Sequence, residues 1–381
     1  MCSCVSYQGW PSRTDFLQHI RDFSPFTVRR AGEVYPLHAL SSRRCESLVD
    51  VSCAPNHGSA EFYGDPTKTE YVRLPLSCYI DAFVAYANDR PHYLHREGTQ
   101  LYLSQCLVYS SQEQDADRIV PHVMESIVTP EILIGQDLYE VNLWMNIYDH
   151  TRSAIHYDGN HNLLCVQQGS KTVALISPEH TSKLQPYSAY CGTPNHTHLS
   201  WDALRDLRDV VIELVVKEGE ALFIPEGWWH QVTSSSCILA INFWFRSPLH
   251  SLLIRNIMIP YYLRAVVHRL QESLVCELRE EVYRLSDDIN SRVIDAMTTD
   301  IFELHLAQSG LLALESEMMF MSSVRNQSRL WLPSARKVLF YVFADNIVDS
   351  ICCTGHRSLA ESFPIRFSVC RLCNHHYLGE K

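Results

Sequence analysis

The strongest constraint on the fold is a change in residue pattern between about residues 140 and 250. Short runs of β-branched and aromatic residues follow one another in this stretch, and Gly, Pro, Asn and Ser separate them. Strands that are joined by tight turns and buried against a second sheet have this pattern, so it predicts a β-sandwich or β-barrel. From about residue 251 onward, apolar residues recur at spacings of three and four, which predicts helices over residues 261–286 and 296–320.

The residues before this core predict a mixture of helices and strands. Residues 14–22 have the pattern of a helix that its first residue, a threonine, caps. Residues 26–28 and 49–51 have the pattern of short strands, and residues 76–88 and 98–107 indicate helical or mixed segments. We therefore expect α/β elements in front of the β core.

The length of 381 residues exceeds that of one typical domain. Because the pattern changes near residue 250, we predict a domain of residues 1–250, whose barrel core spans about 140–250. The remaining residues, 251–381, are predicted to form a helical region. These helices could cap the barrel or pair with those of a second copy of the chain.

Charge and cysteine content narrow the classes of partner and compartment. The chain has 32 Lys and Arg against 43 Asp and Glu, a net charge of −11. It therefore lacks the positive field that drives sequence-independent binding to nucleic acid, which argues against such a partner without ruling out a local basic groove. No stretch approaches the ~18 consecutive apolar residues of a membrane span, and the N-terminus lacks the apolar segment of a signal peptide. The 14 Cys are then expected to be reduced thiols, in the cytoplasm and/or the nucleus.

A lysine in the core region indicates a bound anion. Residues 162–168 and 171–177 flank Gly169-Ser170, which predicts a hairpin with a two-residue turn. The side-chain period of two then places Asn162 and Lys171 on one face, among apolar residues. A lysine so placed needs an anionic partner, and the sequence offers no acid beside it. A bound carboxylate would supply the charge; the alternative is an ordinary lysine at the mouth of the barrel.

Three residues form a candidate metal site. His156 and Asp158 are two residues apart, so both side chains extend to the same side of a strand. His230 follows two tryptophans in a later apolar segment and could supply a third ligand. Two His and one carboxylate leave three positions of an octahedron open, as in non-haem Fe(II) oxygenases, whereas zinc prefers a tetrahedral set. The alternative is that these are three unrelated polar residues of a β-barrel.

The order of the motifs resembles that of a known family. The chain is similar to the JmjC-type oxygenases of the cupin fold, and most of all to the small JmjC hydroxylases related to the asparaginyl hydroxylase that inhibits hypoxia-inducible factor. The similarity covers roughly residues 15–250. Its motifs are Asn142-Leu143-Trp144, His156-Tyr157-Asp158, Asn162-Leu163-Leu164, Gly169-Ser170-Lys171, Trp228-Trp229-His230 and Asn242-Phe243-Trp244.

The resemblance implies a fold, an activity and a set of site residues. It implies a double-stranded β-helix (a cupin or jelly-roll barrel) that uses Fe(II), 2-oxoglutarate and O2 and releases succinate and CO2. His156, Asp158 and His230 match the iron ligands, and Lys171 matches the residue that pairs with the distal carboxylate of 2-oxoglutarate. The remaining matches are Tyr102 and Ser153, whose hydroxyls would bind that carboxylate, and Asn162 and Asn242, which would line the cosubstrate end of the pocket. The family usually has Thr where Ser153 stands, but a hydroxyl is kept.

Several functions share this chemistry. Hydroxylation of a protein or peptide side chain is favoured over lysine demethylation because no chromatin-reader domain is recognisable, and over hydroxylation of a tRNA base because the net charge is negative. A non-catalytic cupin-type protein-binding module is the competing class, which the complete ligand set argues against. Gly169-Ser170-Lys171-Thr172 lacks the glycines of a phosphate-binding loop, so a nucleotide site is rejected.

The remaining histidines and the C-terminal cysteines receive weaker interpretations. His161, His196 and His198 are interpreted as polar loop residues, and the two tryptophans before His230 as packing residues. Cys370 and Cys373 have the spacing of a zinc knuckle, and Cys352 or Cys353 together with His356 could complete a structural zinc site. By resemblance, we also expect a homodimer that pairs through the C-terminal helices.

Overall fold

The computed structural model divides the chain into two compact units, Met1–Tyr261 and Tyr262–Lys381. The residues it describes are 4–35, 46–55, 61–63, 70–95, 99–149, 151–187, 193–197, 199, 207, 209–247, 258, 261–262 and 264–265. Apart from a few residues of helix near position 261, the predicted C-terminal helices lie outside this part, as does the predicted zinc site. The predicted domain boundary near residue 250 stays a prediction. Within the described residues, no helix is long and apolar enough to span a membrane.

Strands dominate the first unit. They are β1 (Val5–Tyr7), β2 (Phe26–Val28), β3 (Leu48–Pro55), β4 (Glu61–Tyr63), β5 (Glu70–Pro75), β6 (Thr99–Ser110), β7 (Asp137–Asn146), β8 (Thr151–Ser153), β9 (His156–Tyr157), β10 (His161–Gln168), β11 (Ser170–Ile176), β12 (Val211–Lys217), β13 (Ala221–Ile224), β14 (Trp229–Ser234) and β15 (Ile238–Arg246). The helices are α1 (Arg13–Asp22), α2 (Leu76–Ala87) and α3 (Pro121–Met124), with 3-10 turns at Glu113–Arg118, Glu131–Leu133 and Pro178–Leu184.

The strands form two sheets that enclose an apolar interior. The larger sheet has the order β1-β2-β13-β10-β15-β7-β6-β3-β5, and the smaller has the order β12-β11-β14-β8-β4, with β9 paired to β14. Leu164, Val166 and Leu222 of the larger sheet cluster with Val173 and Leu175 of the smaller one. Burial of each large apolar side chain contributes roughly 1.5–3 kcal/mol, so this layer holds the two sheets together. The predicted fold class, a mainly β core with the double-stranded β-helix fold, is confirmed.

Two helices cover the outer face of the larger sheet. Alternate residues of β10 and β15, such as Leu163 and Phe245, point away from the interior and are fully buried. They join one cluster with Phe16 of α1 and Tyr79 of α2. Because both faces of the larger sheet are covered, its central strands are apolar on both sides. The predicted N-terminal α/β elements are confirmed and lie on this outer face.

The predicted hairpin at Gly169 is wrong, because its two strands do not pair with each other. The predicted direction of their side chains is confirmed. Strand β10 pairs with β13 and β15 in the larger sheet, whereas β11 pairs with β12 and β14 in the smaller one. Gly169, at φ 78°, turns the chain from one sheet to the other. Because the two sheets face each other, Leu164 and Val173 still point to the same interior, as the period of two predicts. Alternation specifies which face a residue occupies, but it does not specify the strand that pairs with it.

Two local predictions in the N-terminal part are also corrected. Helix α1 begins at Arg13, and the side chain of Ser12, not Thr14, accepts the hydrogen bond from the backbone N–H of Asp15. The segment predicted as helical or mixed at residues 98–107 is strand β6, which is buried along most of its length. A short apolar run has no periodicity that separates a buried strand from a buried helix, so only its partners β3 and β7 decide it.

Candidate metal centre

Three side chains that could bind a metal ion come together where β9 pairs with β14. The antiparallel register places His156 opposite His230, and the two imidazole ring centroids lie 4.3 Å apart. Asp158 follows His156 by two residues. Its Oδ1 lies 3.8 Å from His156 Nε2, and its Oδ2 lies 3.7 Å from His230 Nε2. The three ligand atoms lie within 4.8 Å of one another, close enough to hold one ion.

Backbone carbonyl groups orient both imidazoles. Nδ1 of His156 lies 2.9 Å from the carbonyl oxygen of Ala154, and Nδ1 of His230 lies 2.9 Å from that of Trp228. A carbonyl oxygen can only accept, so each Nδ1 carries the proton and each Nε2 offers its lone pair. Burial, followed by the imidazoles of His230 and His196, lowers the pKa of His156 well below its ordinary value. Two imidazole Nε2 atoms and one carboxylate are a donor set that fits a divalent metal ion.

A chain of side-chain hydrogen bonds leads from the cavity wall to the carboxylate of Asp158. The indole Nε1 of Trp144 donates to Asn242 Oδ1 at 2.8 Å, and Asn242 Nδ2 donates to Asn162 Oδ1 at 3.3 Å. Asn162 Nδ2 then donates to Asp158 Oδ2 at 3.1 Å. Because an indole can only donate, the orientation of both amides along this chain follows from Trp144. The chain positions the carboxylate that stands between the two histidines.

All of the site residues predicted from the sequence line a single cavity of about 250 Å³. The cavity lies between the two sheets, and apolar side chains such as Leu164, Ile224 and Val232 complete its wall. The predicted residues that line it are Tyr102, Ser153, His156, Asp158, Asn162, Lys171, His230 and Asn242.

Lys171 lies at some distance from the three candidate ligands, on the neighbouring strand. In the register of β11 with β14, Lys171 is opposite Ser234 and His230 is opposite Leu175, so four residues, or about 13 Å of strand, separate the two positions. Lys171 is 3% exposed, and its Nζ donates to Ser234 Oγ at 2.9 Å. Burial lowers the pKa of the ammonium to about 7. Within the described residues no carboxylate pairs with it, so its protonated form lacks a counter-charge at this end of the cavity.

Hydroxyl groups and an aromatic ring surround the same end of the cavity. The Nζ of Lys171 lies 6.0 Å from the ring centroid of Trp144, and the ring of Tyr102 lies 6.0 Å from that of Trp144. Ser153 Oγ accepts a hydrogen bond from the backbone N–H of Val232 at 2.9 Å. The structure therefore brings Lys171, Tyr102 and Ser153 to one cavity although they come from three separate strands.

His196 is a cavity residue that the sequence analysis interpreted as a loop residue. Its ring lies against that of His156, with centroids 5.4 Å apart and planes 18° from parallel. Burial, followed by the charge of His230, lowers the pKa of His196 to about 4, so its ring is neutral at physiological pH. The segment around it carries no spacing or periodicity that would connect it with His156. Only the backbone pairing of the two histidines could have identified it.

Of the other interpretations of histidine and tryptophan residues, one is wrong, one is confirmed and one lies outside the described residues. His161 is fully buried in the core rather than in a loop, and its Nδ1 accepts a hydrogen bond from the backbone N–H of Glu226 at 3.1 Å. Trp228 and Trp229 are packing residues, as predicted: both are buried, and their indole N–H groups donate to Phe23 O and Thr181 Oγ1. His198 lies outside the described residues.

Comparison with known proteins finds relatives whose names are those of JmjC proteins, a lysine demethylase and a lysyl hydroxylase. The chain is 32% identical to lysine-specific demethylase JMJ31 of Arabidopsis thaliana, over 58% of this chain and 44% of that protein. It is 27% identical to JmjC domain-containing protein D of Dictyostelium discoideum, over 38% of this chain and 40% of that protein. It is 24% identical to the human bifunctional peptidase and (3S)-lysyl hydroxylase JMJD7, over 45% of this chain and 59% of that protein. The chain thus spans less than half the length of the first two relatives, and the predicted JmjC resemblance is confirmed.

A family model covers most of the unit that contains the cavity. The model of the cupin-like domain matches residues 24–251, which is more than half of the chain. The match includes the predicted metal ligands, Lys171 and the two sheets that enclose them. The chain therefore belongs to the cupin-like domain family.

Proposed function

We propose that the protein is an Fe(II)- and 2-oxoglutarate-dependent dioxygenase that hydroxylates a protein side chain, with release of succinate and CO2. The observation that supports this most is the combination of two features in one cavity. One is the group of His156, Asp158 and His230, and the other is the buried Lys171, for which no described residue supplies a carboxylate partner.

The three candidate ligands would hold the iron. His156 and His230 would bind through Nε2, since Nδ1 of each ring donates to a carbonyl, and Asp158 would bind through its carboxylate. Two imidazoles and one carboxylate leave positions open for a cosubstrate and O2. When bound, iron supplies the activation of O2 that couples oxidation of 2-oxoglutarate to oxidation of a C–H bond. Asn162 would hold the Asp158 carboxylate in place during this reaction.

Lys171 would bind the distal carboxylate of 2-oxoglutarate. An ammonium that is buried with a single hydroxyl partner is costly, and a carboxylate would stabilise its charged form through a charge-assisted hydrogen bond. The hydroxyls of Ser153 and Tyr102 are the further donors at this end of the cavity. The apolar wall formed by Leu164, Ile224 and Val232 would exclude water from the reacting groups.

A protein substrate is supported by the relatives. Two of the relatives have names that specify lysine: one is a lysine-specific demethylase, and the other is a bifunctional peptidase and (3S)-lysyl hydroxylase. Lysine demethylation is therefore the second candidate function, because it is the same C–H oxidation carried out on an N-methyl group. The same cavity residues would serve both reactions.

The test is turnover of 2-oxoglutarate by the purified full chain with Fe(II). We expect succinate to form, at least slowly without substrate, and His156→Ala and Asp158→Ala to abolish it. His122→Ala, at a histidine whose side chain is 62% exposed, is the matched control. Unchanged 2-oxoglutarate together with no bound metal would contradict the proposal. Mass spectrometry of hydroxylated peptides in cells with and without the protein would then identify the substrate.

A further inference from the structure

His196 occupies the side of the candidate metal centre that faces away from the strand of Lys171. Its backbone forms an isolated antiparallel bridge with His156, and its ring lies parallel to that of His156. Lys171, in contrast, lies four residues along the sheet beyond His230. His196 is 6% exposed and belongs to the wall of the cavity. The fold therefore holds this ring beside the ligands and apart from the end of the cavity that would bind the distal carboxylate.

Asn195 fixes which nitrogen of His196 carries the proton. Asn195 Nδ2 donates to the carbonyl of Tyr157 at 2.9 Å, and the backbone N–H of Tyr157 donates to the carbonyl of Asn195 at 3.0 Å. These two bonds hold Asn195 against Tyr157, the residue between the candidate ligands His156 and Asp158. Its Oδ1 lies 2.9 Å from His196 Nδ1 and can only accept, so Nδ1 carries the proton. Nε2 of His196 is then left with a lone pair that accepts a hydrogen bond.

Nε2 of His196 has no hydrogen-bond partner within the described residues, although it is buried. A buried acceptor without a donor costs roughly 1–3 kcal/mol, so a donor other than the described residues would stabilise it. The proposed cosubstrates cannot supply one, because the 2-oxoglutarate dianion offers only acceptors and O2 has no hydrogen. Of the reactants, only the substrate can bring an N–H group to this position.

We propose that His196 binds the substrate side chain through Nε2 and selects side chains that carry an N–H donor next to the oxidised carbon. This inference rests on the proposed function and narrows its substrate class. Amide, ammonium and guanidinium groups fulfil the requirement. Carboxylate and hydrocarbon side chains do not, and neither does trimethyllysine, which has no N–H.

The test is a cycle between matched peptides and His196 variants. The probes are peptides in one fixed Gly/Ala/Ser frame whose central residue forms pairs with and without the donor: asparagine and aspartate, lysine and norleucine, lysine and trimethyllysine. Their affinity is measured by calorimetry on the full chain loaded with Mn(II) and 2-oxoglutarate. Mn(II) takes the place of iron so that the peptides bind without being oxidised. We expect the wild-type protein to bind the donor member of at least one pair roughly tenfold more tightly, which is about 1.4 kcal/mol.

The variants separate a hydrogen bond from packing. His196→Gln keeps an acceptor and is expected to retain the preference, whereas His196→Leu removes it and is expected to abolish the tenfold difference. Asn195→Leu leaves the ring in place but no longer fixes its tautomer, so it is expected to reduce the preference. Mn(II) loading of each variant is checked first, and thermal denaturation shows that it is folded.

Three results would overturn the inference. They are equal affinity for both members of every pair in the wild-type protein, a preference that survives His196→Leu, and failure of every donor-bearing peptide to bind. None of these depends on turnover. A protein that binds the peptides as expected but forms no succinate with Fe(II) would contradict the proposed function and leave the role of His196 supported.

Discussion

Asn162 connects the metal ligands with the rest of the cavity wall. It donates to Asp158 and accepts from Asn242, so one side chain determines the orientation of the ligand carboxylate. Loss of such an outer partner typically lowers metal affinity 10–100-fold. We expect Asn162→Leu to lower the affinity for Mn(II) by roughly that factor, measured by titration. Asn160→Leu, at an asparagine that contacts Arg246 at the surface, is the control, and equal affinities in the two variants would contradict this role.

The buried Lys171 makes stability depend on pH. Its pKa falls from 10.5 to about 7 on folding, so between these values the unfolded chain binds more protons than the folded one. The free energy of unfolding should therefore rise with pH from about 7 to about 10. We expect urea denaturation to show a shallower rise for Lys171→Met than for the wild-type protein. The control is Lys217→Met, at an exposed lysine of β12, which should follow the wild-type curve.

The same lysine should make cosubstrate binding depend on pH. A carboxylate binds the protonated ammonium, so affinity for 2-oxoglutarate in the presence of Mn(II) should be nearly constant below pH 7. Above pH 7 it should weaken by up to about tenfold per pH unit, because a proton must be taken up on binding. Calorimetry at several pH values measures this slope. An affinity that is flat from pH 6 to pH 9 would argue that Lys171 does not bind the carboxylate.

At the residue scale, the sequence predicted those site residues that can be recognised from their spacing along the chain. His156 and Asp158 are two residues apart, at β9 and directly after it, and alternation placed Lys171 in the interior. The resemblance then assigned roles to Lys171 and His230. His196 could not be predicted in this way, because its contact with His156 depends on how a separate segment pairs with β9. The bonds of Asn162 and Asn242 also became visible only in three dimensions.

At the scale of the elements, two glycines connect strands that belong to different sheets. Gly169 joins β10 to β11 at φ 78°, and a Cβ there would lie 2.9 Å from Ser235 Oγ and 3.1 Å from Ile238 Cδ1. Gly219, between β12 and β13, has φ 74° with no atom within 4 Å of such a Cβ. Both alanine variants carry the strain of a positive φ, about 1–3 kcal/mol, but only Gly169→Ala adds a steric clash.

We therefore expect Gly169→Ala to lower the melting temperature by more than Gly219→Ala does. The comparison cancels the backbone strain that the two positions share and leaves the contact with Ser235 and Ile238. Differential scanning calorimetry of the two variants measures the difference. Equal melting temperatures would mean that the crossover at Gly169 relaxes without cost. The turn residues of this crossover were predictable from the sequence, whereas the sheet that each strand joins was not.

At the scale of the whole molecule, the two compact units should separate catalysis from assembly. Every residue of the described cavity lies within Met1–Tyr261, so a fragment of residues 1–261 is expected to bind Mn(II) as the full chain does. We also predict, from the resemblance, that the full chain is a dimer and the fragment a monomer. Light scattering after size exclusion measures both masses. A dimeric fragment, or a monomeric full chain, would place the predicted dimer interface elsewhere or remove it.

By itself, the sequence determined the residue types of the site, the faces on which they lie and the mainly β class of the core. These properties depend on neighbours along the chain, because alternation and spacing are local. The tertiary structure decided which strands pair, and with that the approach of His230 to His156, of Ser234 to Lys171 and of His196 to the metal ligands. Hydrogen bonds between distant strands depend on the closure of two sheets around one interior, and no local pattern of residues encodes that closure.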